Sequence, residues 1–307
     1  MAVAGNEGLI QGSPGGMAAL RVLVCSQITG LCEAVERSAA AAGCRVALQQ
    51  RTPAEIERGG AHHEDWRSAR VVLADPGSIA HMVDDAAALH WMQATWAGVN
   101  SVFALSKKRD FTLTRLGGCF GTQMSEFVLG YVLMHERRLL QATRDQVERR
   151  WQPETYKPSD PLGPRPLDSL TLGMLGCGDI GSLIAKAVKG LGMRVVAFRK
   201  YQGRQDVSVD KMVTSVADVL AESDYIVNIL PSTPDTRGLL GLDTWLHCAA
   251  RGPSRRPPVF INVGRGDVTS EDALLGALDQ GLLQAAVLDV FEVRRRAGGW
   301  EFEWELS

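Results

Sequence analysis

The 307-residue chain sets 33 Lys and Arg against 35 Asp and Glu, a net charge of −2, which excludes the strongly basic footprint of a nucleic-acid or membrane-surface binder. A hydrophobic content of 45% with 22% charge fits a soluble globular protein long enough for two domains, and no apolar run reaches the length of a membrane span. The six cysteines (25, 32, 44, 119, 177 and 248) form no CxxC pair and no zinc spacing, so they read as reduced thiols of a cytoplasmic protein.

Residues 1–16, MAVAGNEGLIQGSPGG, lack the apolar core of a secretory signal and contain no Arg, so a disordered leader is expected there. The next stretch, 17–116, alternates short apolar runs with helical spacing. Leu20–Cys25 reads as a strand, Leu31–Ala42 as a helix ended by Gly43, and Val46–Leu48 as a strand. Arg51–Trp66 is polar and ambiguous. Val71–Ala74 reads as a strand stopped by the turn signal Asp75-Pro76-Gly77, Ile79–Ala88 as a helix, and Trp91–Thr95 as a strand. This rhythm predicts a small parallel α/β domain. Trp96-Ala97-Gly98-Val99-Asn100 follows the last of these strands. Its glycine could leave backbone N–H groups free to hold an anion, although a plain strand-end turn has the same composition.

The second domain is expected over 117–292. Gln123–Glu148 reads as one long helix, with an early apolar stripe and a charged later half that fits a solvated face. Pro153–Pro166 holds five prolines in fourteen residues and reads as a loop. Then comes SLTLGMLGCGDIGSLIAKAVKGLGMRVVAFRK. Leu170–Leu175 is an apolar strand, and Gly176-Cys177-Gly178-Asp179-Ile180-Gly181 fits G-x-G-x-x-G. Ile180, Leu183, Ile184, Ala187, Val188 and Leu191 recur at helical spacing, and Arg194–Phe198 is the next strand.

Each glycine of that turn has a chemical reason. The first permits a sharp turn, the second lets the backbone approach a pyrophosphate, and the third lets helix and strand pack closely. The helix N-terminus then aims its free N–H groups at the phosphates. A strand before and a helix after are the context a dinucleotide site requires. An NAD site ordinarily places an acid at the end of the second strand to bond the ribose 2′-OH. Here Phe198 is followed by Arg199 and Lys200, which suit a 2′-phosphate, so NADP(H) is favoured over NAD(H). Two solvated cations at a strand end remain the plainer alternative.

Ser215–Ser223 reads as a helix, Tyr225–Leu230 as a strand running into Pro231-Ser232-Thr233-Pro234-Asp235-Thr236, and Leu239–Ala250 as a helix. Arg251–Pro258 is a basic, proline-rich loop. Val259–Val263 is a strand ending in Gly264-Arg265-Gly266, Glu271–Gln280 a helix capped by Gly281, and Ala285–Asp289 the last strand.

Five motifs stand in order: Trp96-Ala97-Gly98-Val99, the glycine turn, LPSTPDT (230–236), NVGRG (262–266) and LDVFE (288–292). With them the chain resembles the D-isomer-specific 2-hydroxyacid dehydrogenases, and looks most like their glyoxylate/hydroxypyruvate reductase branch. The resemblance runs from about Leu20 to Val293. It implies a fold of two doubly wound parallel-sheet domains, a flavodoxin-like substrate domain and a Rossmann NAD(P)-binding domain. It also implies a small 2-oxo or 2-hydroxy acid as substrate, and a homodimer formed through the helix near Gln123–Glu148.

The family's reaction moves a hydride between nicotinamide C4 and C2 of the acid. The resemblance assigns the carboxylate clamp to Arg265, whose planar fork binds two oxygens and stays charged. It assigns the other side of the carboxylate to the backbone of Ala97, Gly98 and Val99, and orientation of the carboxamide to Asp289. The remaining cofactor contacts fall on Gly176, Gly178, Asp179, Ile180, Gly181, Arg199, Lys200, Pro231, Ser232, Thr236, Val263 and Gly264.

The family also uses a His assisted by a Glu to protonate the alkoxide at C2. The Glu position, five after Asp289, holds Arg294, and none of the six histidines (62, 63, 81, 90, 135, 247) follows Arg265. Residues 293–307 match nothing in the family pattern. The expectation is a truncated or alternatively ended dehydrogenase of impaired turnover, with a catalytically silent NADP(H)-binding sensor as the alternative.

Overall fold

The computed structural model describes residues 19–152, 163–200, 206–252 and 255–292, together with the backbone of 295–296 and 299–300. The expected leader, most of the loop 153–166 and most of the tail 293–307 lie outside the described residues. The chain divides into two compact units, one ending at Gly117 and the other starting at Gly118.

The first unit contains β1 (Leu20–Cys25), α1 (Leu31–Ala41), β2 (Val46–Gln50), α2 (Pro53–Glu57), α3 (Ala61–Ser68), β3 (Val71–Ala74), α4 (Pro76–Ile79), β4 (Trp91–Ala94), α5 (Asn100–Leu105) and β5 (Thr112–Thr114). Its strands form one parallel sheet in the order β2-β1-β3-β4-β5, the flavodoxin-like order. The ambiguous stretch 51–66 resolves into α2 and α3. Thr52 accepts from the Glu55 backbone N–H while the Glu55 carboxylate accepts from the Thr52 N–H, a capping box with Pro53 in the first turn. The helix expected over Ile79–Ala88 is instead α4 followed by a 3-10 turn at Ala80–Asp85. Trp66, fully buried, donates its indole N–H to Met82 O at 2.9 Å and holds that turn against the core.

The second unit contains α6 (Gly121–Glu136), α7 (Leu139–Val147), β6 (Thr171–Leu175), α8 (Asp179–Lys189), β7 (Arg194–Phe198), β8 (Lys211–Val213), α9 (Val216–Glu222), β9 (Tyr225–Asn228), α10 (Leu242–Trp245), β10 (Val259–Asn262), α11 (Glu271–Asp279) and β11 (Ala285–Leu288). These six strands form one parallel sheet, in the order β11-β10-β9-β6-β7-β8. Counted from β6 this is 6-5-4-1-2-3, the dinucleotide-fold order, with its switch point between β6 and β9. β6, β9 and β10 are buried along their whole length, as central strands covered on both faces must be. α8 buries Ile184, Ala185 and Val188 against this sheet, and the Ile and Val side chains contribute about 1.5–3 kcal/mol each.

The long helix expected over Gln123–Glu148 is two helices. The ladder stops at Glu136, and Arg138 takes a left-handed conformation at φ 51° before α7 begins. The stop coincides with a tertiary anchor. Glu136 is 2% exposed and accepts from Arg165 Nη2 at 2.5 Å and from the Tyr225 hydroxyl at 2.8 Å. The helix expected over Leu239–Ala250 likewise divides into α10 and a 3-10 turn at Leu246–Arg251.

Candidate nucleotide and oxo-acid site

Parallel pairing brings the candidate residues of the second unit to one sheet edge. Leu175 pairs with Phe198 and with Asn228, and Asn262 pairs with Asn228 and with Leu288. The segments leaving these strands therefore emerge side by side. They are the glycine turn, Arg199-Lys200, the Pro231–Thr236 loop, Val263-Gly264-Arg265 and Asp289.

The turn separates a glycine that packing requires from one that it does not. Gly176 sits at φ 99°, a conformation that disfavours any side chain. A Cβ on Gly181 would stand 2.9 Å from Met174 Cε and 3.1 Å from Gly176 O, so only glycine lets α8 approach β6 this closely. A Cβ on Gly178 would meet no atom within 4 Å. Packing does not demand glycine there. Gly178 is the N-cap of α8, and the first free N–H groups of this eleven-residue helix follow it. Asp179 is exposed in the first turn, and Ile180 packs against the core. The Cys177 thiol is buried, and burial followed by the Asp206 carboxylate pushes it above its ordinary range, so it is no nucleophile.

Arg199 leaves β7 and folds back to donate to the carbonyl of Cys177 inside the turn. Lys200 reaches the other way, its Nζ 2.6 Å from Asp235 Oδ2. In the Pro231–Thr236 loop, the Thr236 hydroxyl donates to Pro231 O at 2.6 Å and accepts from the Thr233 N–H at 2.8 Å. The Ser232 hydroxyl donates to Asp267 Oδ2 at 2.5 Å. Both side chains thus help to shape the loop.

Two residues that sequence reasoning passed over organise the turn after β10. Asn228 and Asn262 close β9 and β10, both buried, with Asn228 Nδ2 donating to Asn262 Oδ1 at 2.8 Å. Asn262 Oδ1 also accepts from the Gly264 N–H at 3.2 Å, and its Nδ2 donates to Arg265 O at 3.1 Å. Asn228 Oδ1 takes the Leu230 N–H at 3.2 Å. The pair fixes the turn that carries Arg265, whose Nη1 donates to Gly264 O at 2.7 Å. Val263 is buried, and Asp289 is exposed with its N–H on Asn262 O at 3.0 Å. The signal available in the sequence was an Asn at the end of each of two apolar strands, YIVN and VFIN.

Ala97, Gly98 and Val99 belong to the first unit, half-buried between β4 and α5 at the carboxyl edge of its sheet. Asp75, read from sequence only as a turn signal, holds this edge. It accepts from Thr95 Oγ1 at 2.5 Å, Ser26 Oγ at 2.7 Å and the Gln27 N–H at 2.9 Å. One carboxylate therefore ties the ends of β1, β3 and β4 and fixes the start of the 96–99 loop.

The profile of the D-isomer specific 2-hydroxyacid dehydrogenase NAD-binding domain matches residues 129–305, a span that runs past Val293 into the tail. Glyoxylate/hydroxypyruvate reductase A of Serratia proteamaculans is 30% identical over 236 residues, 74% of this chain and 67% of that protein. The chain spans smaller shares, 57% and 54%, of two other curated relatives. Among solved structures, a D-isomer specific 2-hydroxyacid dehydrogenase family protein of Aeromonas salmonicida superposes with a TM-score of 0.71 at 32% identity, covering 89% of this chain and 81% of that one. The NADPH-dependent glyoxylate/hydroxypyruvate reductase of Sinorhizobium meliloti, in complex with NADP and sulfate, gives 0.71 at 26%, covering 91% and 83%. A dinucleotide-fold sheet with an open Gly178 at its switch point, a flavodoxin-like sheet before it, and these matches lead to one assignment: the chain belongs to the D-isomer specific 2-hydroxyacid dehydrogenase family.

Proposed function

We propose that this chain is an NADP(H)-dependent oxidoreductase that reduces a small 2-oxo acid such as glyoxylate or hydroxypyruvate. The observation that carries the proposal is the convergence, on one sheet edge, of the Gly176–Gly181 turn with the Asn262-anchored Arg265. When bound, the nicotinamide supplies the hydride. The chain's own residues bind and orient. Gly178 and the α8 N-terminus take the pyrophosphate, Arg199 and Lys200 the 2′-phosphate, and Asp289 the carboxamide. Arg265 clamps the acid's carboxylate and polarises its keto oxygen. NADP favours these cations because no acid stands after Phe198 to bond a free 2′-hydroxyl. A cytoplasmic homodimer belongs to the same proposal. Among the described residues no helix is long and apolar enough to cross a membrane.

One fact supports a second reading, a catalytically silent NADP(H)-binding sensor. Arg294 stands five residues after Asp289, where the resemblance implies the assisting Glu. General acid catalysis contributes about 10²–10⁴-fold in rate, and a cation in the Glu's sequence position would weaken it. The test is a thermal melt with saturating NADPH and with NADH, followed by hydroxypyruvate and glyoxylate assays. At a hundred times its dissociation constant NADPH should stabilise the fold by about 2.7 kcal/mol. Stabilisation with slow turnover supports the reductase, stabilisation with none supports the sensor, and no response to either nucleotide removes both.

A further inference from the structure

We infer that Asp235 sets how strongly the nucleotide site prefers a 2′-phosphate, because it holds the Lys200 ammonium across the site. The inference rests on the nucleotide-binding reading above and concerns a residue which that reading leaves without a role.

The geometry starts from strand order. β7 and β9 are not neighbours, because β6 lies between them. Lys200 stands two residues beyond β7, and Asp235 lies in the loop that follows β9. Their contact, 2.6 Å from Nζ to Oδ2, therefore passes over the carboxyl end of β6, from which the glycine turn departs. In an open α/β sheet a ligand occupies this crevice at the switch point, here between β6 and β9. The ion pair lies along the rim of that crevice.

The two cations after Phe198 are thus drawn apart. Arg199 turns down onto the glycine turn through Cys177 O, while Lys200 is drawn sideways to Asp235. Both ends of the pair are open to solvent, with side chains 55% and 71% exposed. Such a pair is weak, and a 2′-phosphate can replace the carboxylate as the partner of Lys200. Until it does, Asp235 acts twice in the same direction. It occupies the ammonium, and its negative charge opposes the incoming phosphate. A nucleotide without the 2′-phosphate gains little from Lys200 and is nearly indifferent to Asp235. The carboxylate therefore tempers the NADP preference that Arg199 and Lys200 create.

The experiment is calorimetric titration of the full chain with 2′,5′-ADP and with 5′-ADP, which require no turnover. Asp235→Asn should tighten 2′,5′-ADP about two- to fivefold and shift 5′-ADP by less than about twofold, the range expected for an exposed pair. In a Lys200→Met background the gain from Asp235→Asn should largely vanish, as a coupled pair requires. Equal affinities of wild type and Asp235→Asn for 2′,5′-ADP would overturn the inference. So would an equal gain for both nucleotides, or a full gain in the absence of Lys200. If folded wild type binds neither nucleotide, the nucleotide-binding reading itself fails and the inference falls with it. That result is seen before any variant is made.

Discussion

Asn228 and Asn262 face each other across adjacent parallel strands, amide to amide at 2.8 Å, at the point where both strands end. Asn262 thereby accepts two hydrogen bonds and donates one to Arg265 O, all in a buried setting. Asn262→Ala leaves the Asn228 amide and the Gly264 N–H without their acceptor. A loss of about 3 kcal/mol is expected from unsatisfied buried groups, or roughly 6–12 °C in melting temperature for a unit of this size. Differential scanning calorimetry checks it. A change below about 1 °C would mean that the pair is not an anchor for the Arg265 turn.

Gly178 and Gly181 should respond oppositely to the same substitution. Gly178 has extended backbone, φ −102° and ψ −151°, and open space where a Cβ would go. Gly178→Ala should melt like wild type but lose most of the NADPH-induced shift. Gly181→Ala drives its methyl into Met174 Cε and Gly176 O and should cost about 1–3 kcal/mol with or without nucleotide. Melts of both variants, each with and without NADPH, separate ligand space from packing space.

The β6–turn–α8–β7 unit was legible because three local signals agree there: an apolar run, glycines at fixed spacing, and helical periodicity. Two short strands, Thr112–Thr114 and Lys211–Val213, were not, since three residues show no period and each pairs on one side only. The break at Arg138 was hidden for another reason. It depends on Glu136 finding Arg165, 29 residues away, and no local pattern marks that partner. The Asn228–Asn262 bridge required the register of β9 against β10. The roles of Asp75 and Asp235 required knowing which strand ends lie together.

Thr95→Val removes, at nearly constant volume, a hydroxyl that donates to Asp75 Oδ1 at 2.5 Å and lies 3.2 Å from Ala74 O. If the Ala97–Val99 backbone holds the acid's carboxylate, the loop should loosen. Affinity for oxalate, an unreactive carboxylate probe, should then fall about three- to tenfold in the presence of NADPH, the scale of one hydrogen bond. NADPH affinity should stay unchanged, since its proposed contacts lie in the second unit. A parallel fall in both affinities would mean that Thr95 supports the fold rather than the loop.

The pH dependence should show two separate windows, both traceable to the end of α6. Tyr225 is buried and its hydroxyl is pushed far up, first by burial and then by Glu136, so it stays protonated and donates to Glu136 Oε1 at 2.8 Å. His135 Nδ1 lies 2.7 Å from the Tyr225 oxygen, and because that hydroxyl proton is committed to Glu136, the imidazole must donate there through Nδ1–H. Burial lowers the His135 pKa most; Glu136 opposes the shift, and Arg165, Arg256 and Arg138 add to it. A His with a depressed folded pKa binds its proton more readily when unfolded. Stability should therefore start to fall as pH drops below about 6.5 and level off at the folded value. His135→Gln, which keeps a donor without a titrating ring, should flatten that slope. Glu136 titrates lower. Burial alone would raise its carboxyl, but the Arg165 bonds and charge and the Tyr225 hydroxyl together hold it below its ordinary value. Its contribution is present above the unfolded carboxylate pKa of about 4.3 and is lost as pH falls through the lower folded value. Glu136→Gln should remove that second loss and also cost about 1–3 kcal/mol at neutral pH, because Arg165 would keep only Asp224 as a charged partner. Denaturant midpoints of wild type and both variants across this range decide the assignment. A wild-type slope below pH 6.5 that survives His135→Gln would place the titrating group elsewhere.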